Sequence, residues 1–210
     1  MFGLAKGEVK IFRKLKTPAK IQDFLNSIKI NFEEKGDTCM SPRMVLNNKK
    51  CHCMEGAILG ALALRVNGYP PLIVDLLAHD RDFDHVVAVF RKNGKWGAIS
   101  KTFVAVLRYR EPLYNSVREL VMSYFHEYFD DKGRKNLRSY SLPVNLSRFD
   151  NLGWMTSEKE VWYIPDYLTK LKHFSILNKS QIHQLRKADE IEIKAGKLVE
   201  WKSKNAKENL

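Results

Sequence analysis

The pattern of this sequence predicts an α+β fold in which one buried helix packs on an antiparallel sheet, and three stretches carry that prediction. Residues 53–65 are apolar around almost the whole helical circumference, the mark of a helix enclosed by protein. Residues 84–91 alternate, with His85, Val87 and Val89 on one face and Val86, Ala88 and Phe90 on the other. Asn93-Gly94 then supplies a hairpin turn into residues 95–102. If the turn is symmetric, Arg91 opposes Trp96, Val87 opposes Ser100 and His85 opposes Thr102. Ser100 and Thr102 therefore share the face of His85.

The remaining elements follow in order. Thr17-Pro18 reads as an N-cap and first helical position, and Ile21, Phe24, Leu25 and Ile28 recur at helical spacing, predicting a helix from Pro18 to the early 30s that stops by Gly36. Residues 36–42 read as a loop and 42–50 as an irregular approach to the central helix. Residues 71–77 are a short apolar run, a buried strand interrupted by Asp75, whose carboxylate needs a partner. Residues 79–83 read as a loop. Residues 103–109 extend the sheet until Glu111-Pro112 breaks it. Asn115 reads as the cap of a helix with an apolar stripe of Val117, Leu120, Val121, Tyr124, Phe125 and Tyr128, ending near Gly133, with His126 exposed off the stripe. Residues 139–149, containing Pro143, read as an extended edge segment. Residues 154–164 fit helix and strand equally. Pro165 and Ser180 open short helices, and residues 202–210 fray. The expected division is a core over residues 1–105 and a largely helical extension over 106–210, packed on the same domain.

The chain has 210 residues, 44% of them hydrophobic, and a net charge of +12. That charge favours an acidic partner, an acidic peptide before nucleic acid, because the basic residues are dispersed and no finger, helix-turn-helix or RNP-like strand is present. No window is apolar and long enough to span a membrane, and the first residues lack the apolar core of a secretory signal, so a cytoplasmic protein is expected. Three cysteines, two of them at 51 and 53, argue for reduced thiols over a disulfide framework.

Cys53 falls in the first turn of the central helix, where unpaired backbone N–H groups and the helix dipole favour a thiolate. Cys53, Ala57, Arg65, Gly68 and Pro70 form a Cys-x-x-x-Ala... Arg-x-x-Gly-x-Pro pattern that resembles the transglutaminase-like branch of papain-fold thiol enzymes. Asp84-His85-Val86-Val87-Ala88-Val89 and Gly94-Lys95-Trp96 resemble the histidine strand of that family and the strand after it. The likeness runs over roughly residues 40–102, under a third of the chain. It implies a papain/transglutaminase-like core with Cys53 as nucleophile and His85 as general base and acid. One position departs: Ser100 stands where the family usually has an aspartate. Ser100 is then the orienting group for the imidazole, and Asp75 is a candidate for the missing negative charge. The Cys53 backbone N–H would form one half of an oxyanion hole, with Asn47 as a candidate second donor, unless Asn47 and Asn48 serve as turn or capping residues.

The implied activity is hydrolysis or acyl transfer at a peptide or amide bond, without a cofactor. Two other classes compete with it. One is an inactive module of the same fold that binds an acidic peptide or nucleic acid. The other is a metal site built from Cys39, Cys51, His52 and Cys53 with His79, which lacks the two spaced ligand pairs of structural zinc.

Overall fold

The computed structural model describes residues 1–79 and 83–200. Its first half runs α1 (Lys6–Lys14), α2 (Pro18–Ser27), β1 (Lys29–Ile30), α3 (Pro42–Asn48), β2 (Lys50–Cys51), α4 (Cys53–Val66), β3 (Leu72–Ala78), β4 (His85–Lys92) and β5 (Lys95–Ser100). The second half adds β6 (Arg110–Tyr114), α5 (Val117–Met122), β7 (Leu137–Ser141), β8 (Val144–Asn145), α6 (Tyr163–Thr169), β9 (His173–Ser175), α7 (Lys179–His183) and α8 (Glu190–Gly196). The result is a mixed α+β architecture. An antiparallel sheet is ordered β6-β5-β4-β3-β7-β9, with β8 also pairing with β3. Among the described residues no helix is long and apolar enough to cross a membrane.

The sheet alternates between two apolar layers, as the two-residue period of a strand demands. Ile73, Val86, Ala88, Phe90 and Ile99 face the first, where they meet Ile58, Leu59 and Leu62 of α4. Val74, Leu76, Val87, Val89 and Ala98 face the second, with Leu120, Val121 and Tyr124. The helix α4 is buried nearly throughout, as its unbroken apolarity predicts. The aromatic stripe after residue 117 is likewise a core face, and His126 is exposed.

The hairpin forms in the predicted register: Arg91 pairs with Trp96 and Val87 with Ser100. Asn93 and Gly94 make the turn at φ of 51° and 77°, the left-handed pair that a two-residue hairpin requires. β5 ends at Ser100, so the ladder stops at Val87–Ser100, two positions before His85 would oppose Thr102.

Several boundaries differ from expectation for identifiable reasons. α2 ends at Ser27 because Ile28 turns extended and Lys29–Ile30 pair in parallel with Lys50–Cys51. Residues 42–48 are a helix, started by Ser41, whose hydroxyl accepts from Met44 N at 3.2 Å, and by Pro42 at the first position. Residues 6–14 form a helix that the sequence reading did not include. Glu111-Pro112 does not break the sheet; it lies within β6, an outer strand, where proline is tolerated. Ser116, not Asn115, caps α5, which stops at Met122 and gives way to a short 3₁₀ turn at Phe125–Glu127. Residues 139–141 belong to β7, which lies between β3 and β9 and is not an edge. Residues 80–82 of the expected loop and the expected frayed end lie outside the described residues.

Motif residues other than Cys53 and His85 serve the frame. Arg65 makes a two-point ion pair with Asp150, both distances 2.6 Å, and Trp154 Nε1 donates to the same carboxylate at 3.1 Å. Gly68 takes φ of 90° just after α4, where a side chain would be strained.

Two glycines of α4 set how closely it approaches the sheet. A Cβ on Gly56 would stand 2.4 Å from Lys101 Cβ, whereas one on Gly60 would meet Ala88 Cβ at 3.3 Å. Gly56→Ala is therefore expected to destabilise by about 1–3 kcal/mol through overpacking. In Gly60→Ala the helix-propensity gain of about 1 kcal/mol offsets a milder clash. Urea denaturation of both variants checks the ranking, and equal midpoints would show that Lys101 yields freely.

Candidate active site

Glu55, in the first turn of α4, is fully buried, and a carboxylate in that position demands donors. Its Oε1 accepts from Thr38 Oγ1 at 2.8 Å and Met40 N at 2.9 Å, and its Oε2 from His52 N at 3.0 Å and Asn31 Nδ2 at 3.3 Å. Burial raises its pKa, but His52 and the amides outweigh burial and hold the carboxyl below the usual range. The carboxylate thus ties residues 31–40 to the start of α4 and fixes His52 as the residue before Cys53. His52-x-x-Glu55 has the spacing of a capping box, the sequence signal by which Glu55 could have been found.

Cys53 opens α4 and keeps partial exposure at a cleft of about 750 Å³ that His52, His85 and Thr102 also line. As a first-turn amide its N–H has no acceptor within the helix, which suits it to an oxyanion. Burial pushes the thiol pKa up, but His52 and His85, by hydrogen bonding and then by charge, more than reverse this and bring it to about 5. Cys39 and Cys51 are buried, and burial pushes both to about 12. The three cysteines are free thiols, and only Cys53 has the environment of a nucleophile.

His85 opens β4 and Ser100 closes β5, so the antiparallel pairing brings both to one end of the sheet. His85 Nε2 lies 2.8 Å from Ser100 Oγ, and the Ser100 hydroxyl donates its single hydrogen to Leu107 O at 2.6 Å. With that hydrogen committed, Oγ can only accept from the ring, so Nε2 carries the proton and Nδ1 is left toward the thiol. Ser100 is itself held by Gln22 of α2, whose side chain accepts from Ser100 N at 2.9 Å and donates to Ser100 O at 2.8 Å. Beside it the buried Lys101 ammonium donates to Leu25 O at 2.9 Å and to Ile28 O, capping the end of α2. Gln22 and Leu107 have no signature in the sequence, because their roles exist only once α2 and residues 101–109 are folded around the strand end.

The other sequence candidates separate from this group. Asp75 is buried, but its carboxylate lies 3.1 Å from His173 Nε2 on β9 and not on His85. Burial lifts its pKa to about 6 against the opposing pull of His173. The need for a partner was legible in the sequence; the partner, 98 residues away, was not. Asn47 is exposed in the last turn of α3, outside the residues lining the cleft, so it does not serve as the oxyanion donor. Asp84 lines the cleft and accepts from Ala78 N at 2.8 Å. Among the described residues no cluster of three or more His, Cys, Asp or Glu side chains could hold a metal ion. His79 is not among the residues lining the cleft, and its main-chain N–H donates to Asn136 O at 2.9 Å.

The cleft does not share the sign of the whole chain. Glu33, Asp84, Glu127, Asp130 and Asp131 line it against Lys101 and Lys197, although Glu127 is paired with Arg110 and Asp130 with Arg134. Phe32, Phe103 and Phe129 supply apolar walls. No protein-family model matches the chain, and a search of curated proteins finds no match.

Removing the buried carboxylate should leave the amides of Met40 and His52 and the side chains of Thr38 and Asn31 without an acceptor. Glu55→Ala is therefore expected to cost about 3–5 kcal/mol, read by chemical denaturation. A loss below about 1 kcal/mol would mean that other contacts hold residues 31–40.

Proposed function

We propose that this protein is a thiol acyl-transfer enzyme of transglutaminase-like type, acting as a hydrolase or acyltransferase on an amide or peptide bond. The observation that carries the reading is the Cys53–His85–Ser100–Leu107 chain, in which one hydroxyl fixes the tautomer of an imidazole beside a first-turn cysteine. A papain-like core, with the cysteine on a helix and the histidine on an adjoining strand, is the fold expected of such a site.

The chemistry runs from the thiolate. Cys53 Sγ attacks the carbonyl carbon, and the negative charge moves to the carbonyl oxygen, where the Cys53 N–H donates to it. The tetrahedral species collapses as His85 Nδ1–H gives its proton to the leaving amine, and a thioester on Cys53 remains. Water or a second amine then attacks the thioester while the neutral Nδ1 takes its proton. The thiolate leaves and the imidazolium is restored. Ser100 accepts from Nε2–H in both ring states, so it keeps the ring oriented through the cycle, although it brings no negative charge.

The alternative, a catalytically silent module for an acidic peptide or nucleic acid, gains no support from this cleft, whose lining is richer in carboxylates than in lysines. The test is an activated ester such as p-nitrophenyl acetate. A burst of nitrophenolate approaching one equivalent per chain is expected, absent in Cys53→Ala and unchanged in Cys39→Ala. With an amide substrate such as a p-nitroanilide, whose leaving amine needs the His85 proton, Ser100→Ala should slow acylation by about 10²-fold, the lower range for general acid–base catalysis. A burst that persists in Cys53→Ala would overturn the assignment of the nucleophile.

A further inference from the structure

His52 is not explained by the Cys53–His85 chemistry, yet its ring stands at the same thiol. Its Nε2 lies 2.9 Å from Thr38 O, 3.4 Å from Glu55 Oε1 and 3.6 Å from Glu33 Oε1. A nitrogen facing one carbonyl and two carboxylates must carry a hydrogen, which leaves Nδ1 for the sulfur of Cys53. The ring is mostly buried, so its charge acts through little water.

Resting on the thiol-enzyme reading above, we propose that His52 is a second imidazole of the site, a fixed cation held by Glu55 and Glu33, which keeps Cys53 as a thiolate whether or not His85 carries a proton. The family-type arrangement puts a carboxylate behind the catalytic histidine; here Ser100 stands there, and the carboxylates stand behind His52. Generation of the nucleophile is thereby separated from proton transfer. His52 keeps its proton throughout, while His85 passes one to the leaving amine and recovers one from the attacking water, so the cycle balances without His52. The charged and titratable groups facing His52 are Cys53 and Glu55 on its own helix and Glu33 on the segment after β1. Asp84, His85 and Lys101 face the cleft from the sheet end. Burial opposes its charge, and the hydrogen bonds to Cys53 and Glu55 overcome that and raise its pKa to about 11.

The experiment is the pH dependence of iodoacetamide alkylation in a Cys39→Ala, Cys51→Ala background, compared among the parent, His52→Gln and His85→Ala. His85→Ala is expected to keep an acidic midpoint within about one pH unit of the parent. His52→Gln is expected to move the midpoint up by roughly two units or more, toward the ordinary thiol value near 8.5. Because His52 precedes α4, a titration of histidine ring signals by NMR in the otherwise intact protein provides a second arm. The His52 ring should stay protonated through neutral pH and titrate at lower pH in Cys53→Ala, where the thiolate is gone. If His85→Ala abolishes the acidic midpoint and His52→Gln leaves it in place, the thiol-enzyme reading stands and the role given to His52 falls. A His52 ring titrating near 6.5 in both proteins would overturn it as well. A parent protein that labels like an ordinary thiol would overturn both.

Discussion

A carboxylate with no access to water is the constraint on which this site depends. Glu55 is stabilised only while Thr38, Met40, His52 and Asn31 all donate to it, so its burial dictates the path of residues 31–40 and the first turn of α4 together. That turn carries Cys53. The same segment supplies Phe32 and Glu33 to the cleft wall, so one buried charge couples the position of Cys53 to the shape of the space in front of it. A buried ion is weak evidence for stability in itself. Here its effect is geometric, because its four donors come from residues 31–40 and from the start of α4 and converge on one carboxylate.

The second half of the site is built from the opposite direction. α2 lies across the end of β5, where Gln22 grips both backbone groups of Ser100 and Lys101 closes the carbonyl end of the helix. Ser100 is consequently placed by its own main chain before its side chain acts. A serine in this position is more than an aspartate with its charge removed: it accepts from His85 and donates to Leu107 O at once, which a carboxylate would not do. An aspartate would set negative charge against that carbonyl. The local surroundings are therefore fitted to a hydroxyl, and the positive charge near the thiol is stabilised on the His52 side.

What could be read from the sequence was what depends on local periodicity. The unbroken apolar run of residues 53–65, the alternation of 84–91 and the Asn93-Gly94 turn each encode one element, and together they placed Ser100 on the face of His85. What could not be read depends on residues far apart in the chain. Asp75 showed that a partner was needed but not that His173 would be it, and Gln22 looked like one more polar residue on an amphipathic helix. Asn47 was chosen for its nearness in sequence to Cys53, whereas α3 turns it outward to solvent. Pro112 was read as a break because sequence shows proline without showing whether its strand lies at an edge.

The proposed chemistry depends on the ionisation of one thiol at neutral pH, and the most direct measurement is the ultraviolet absorbance of the thiolate. The difference between the intact protein and Cys53→Ala, followed from acid to alkaline pH, isolates Cys53 without substrate or labelling reagent. A thiolate signal half-developed at about pH 5 and complete by neutrality is the predicted result. A signal that appears only near 8.5, as for an ordinary cysteine, would contradict the account.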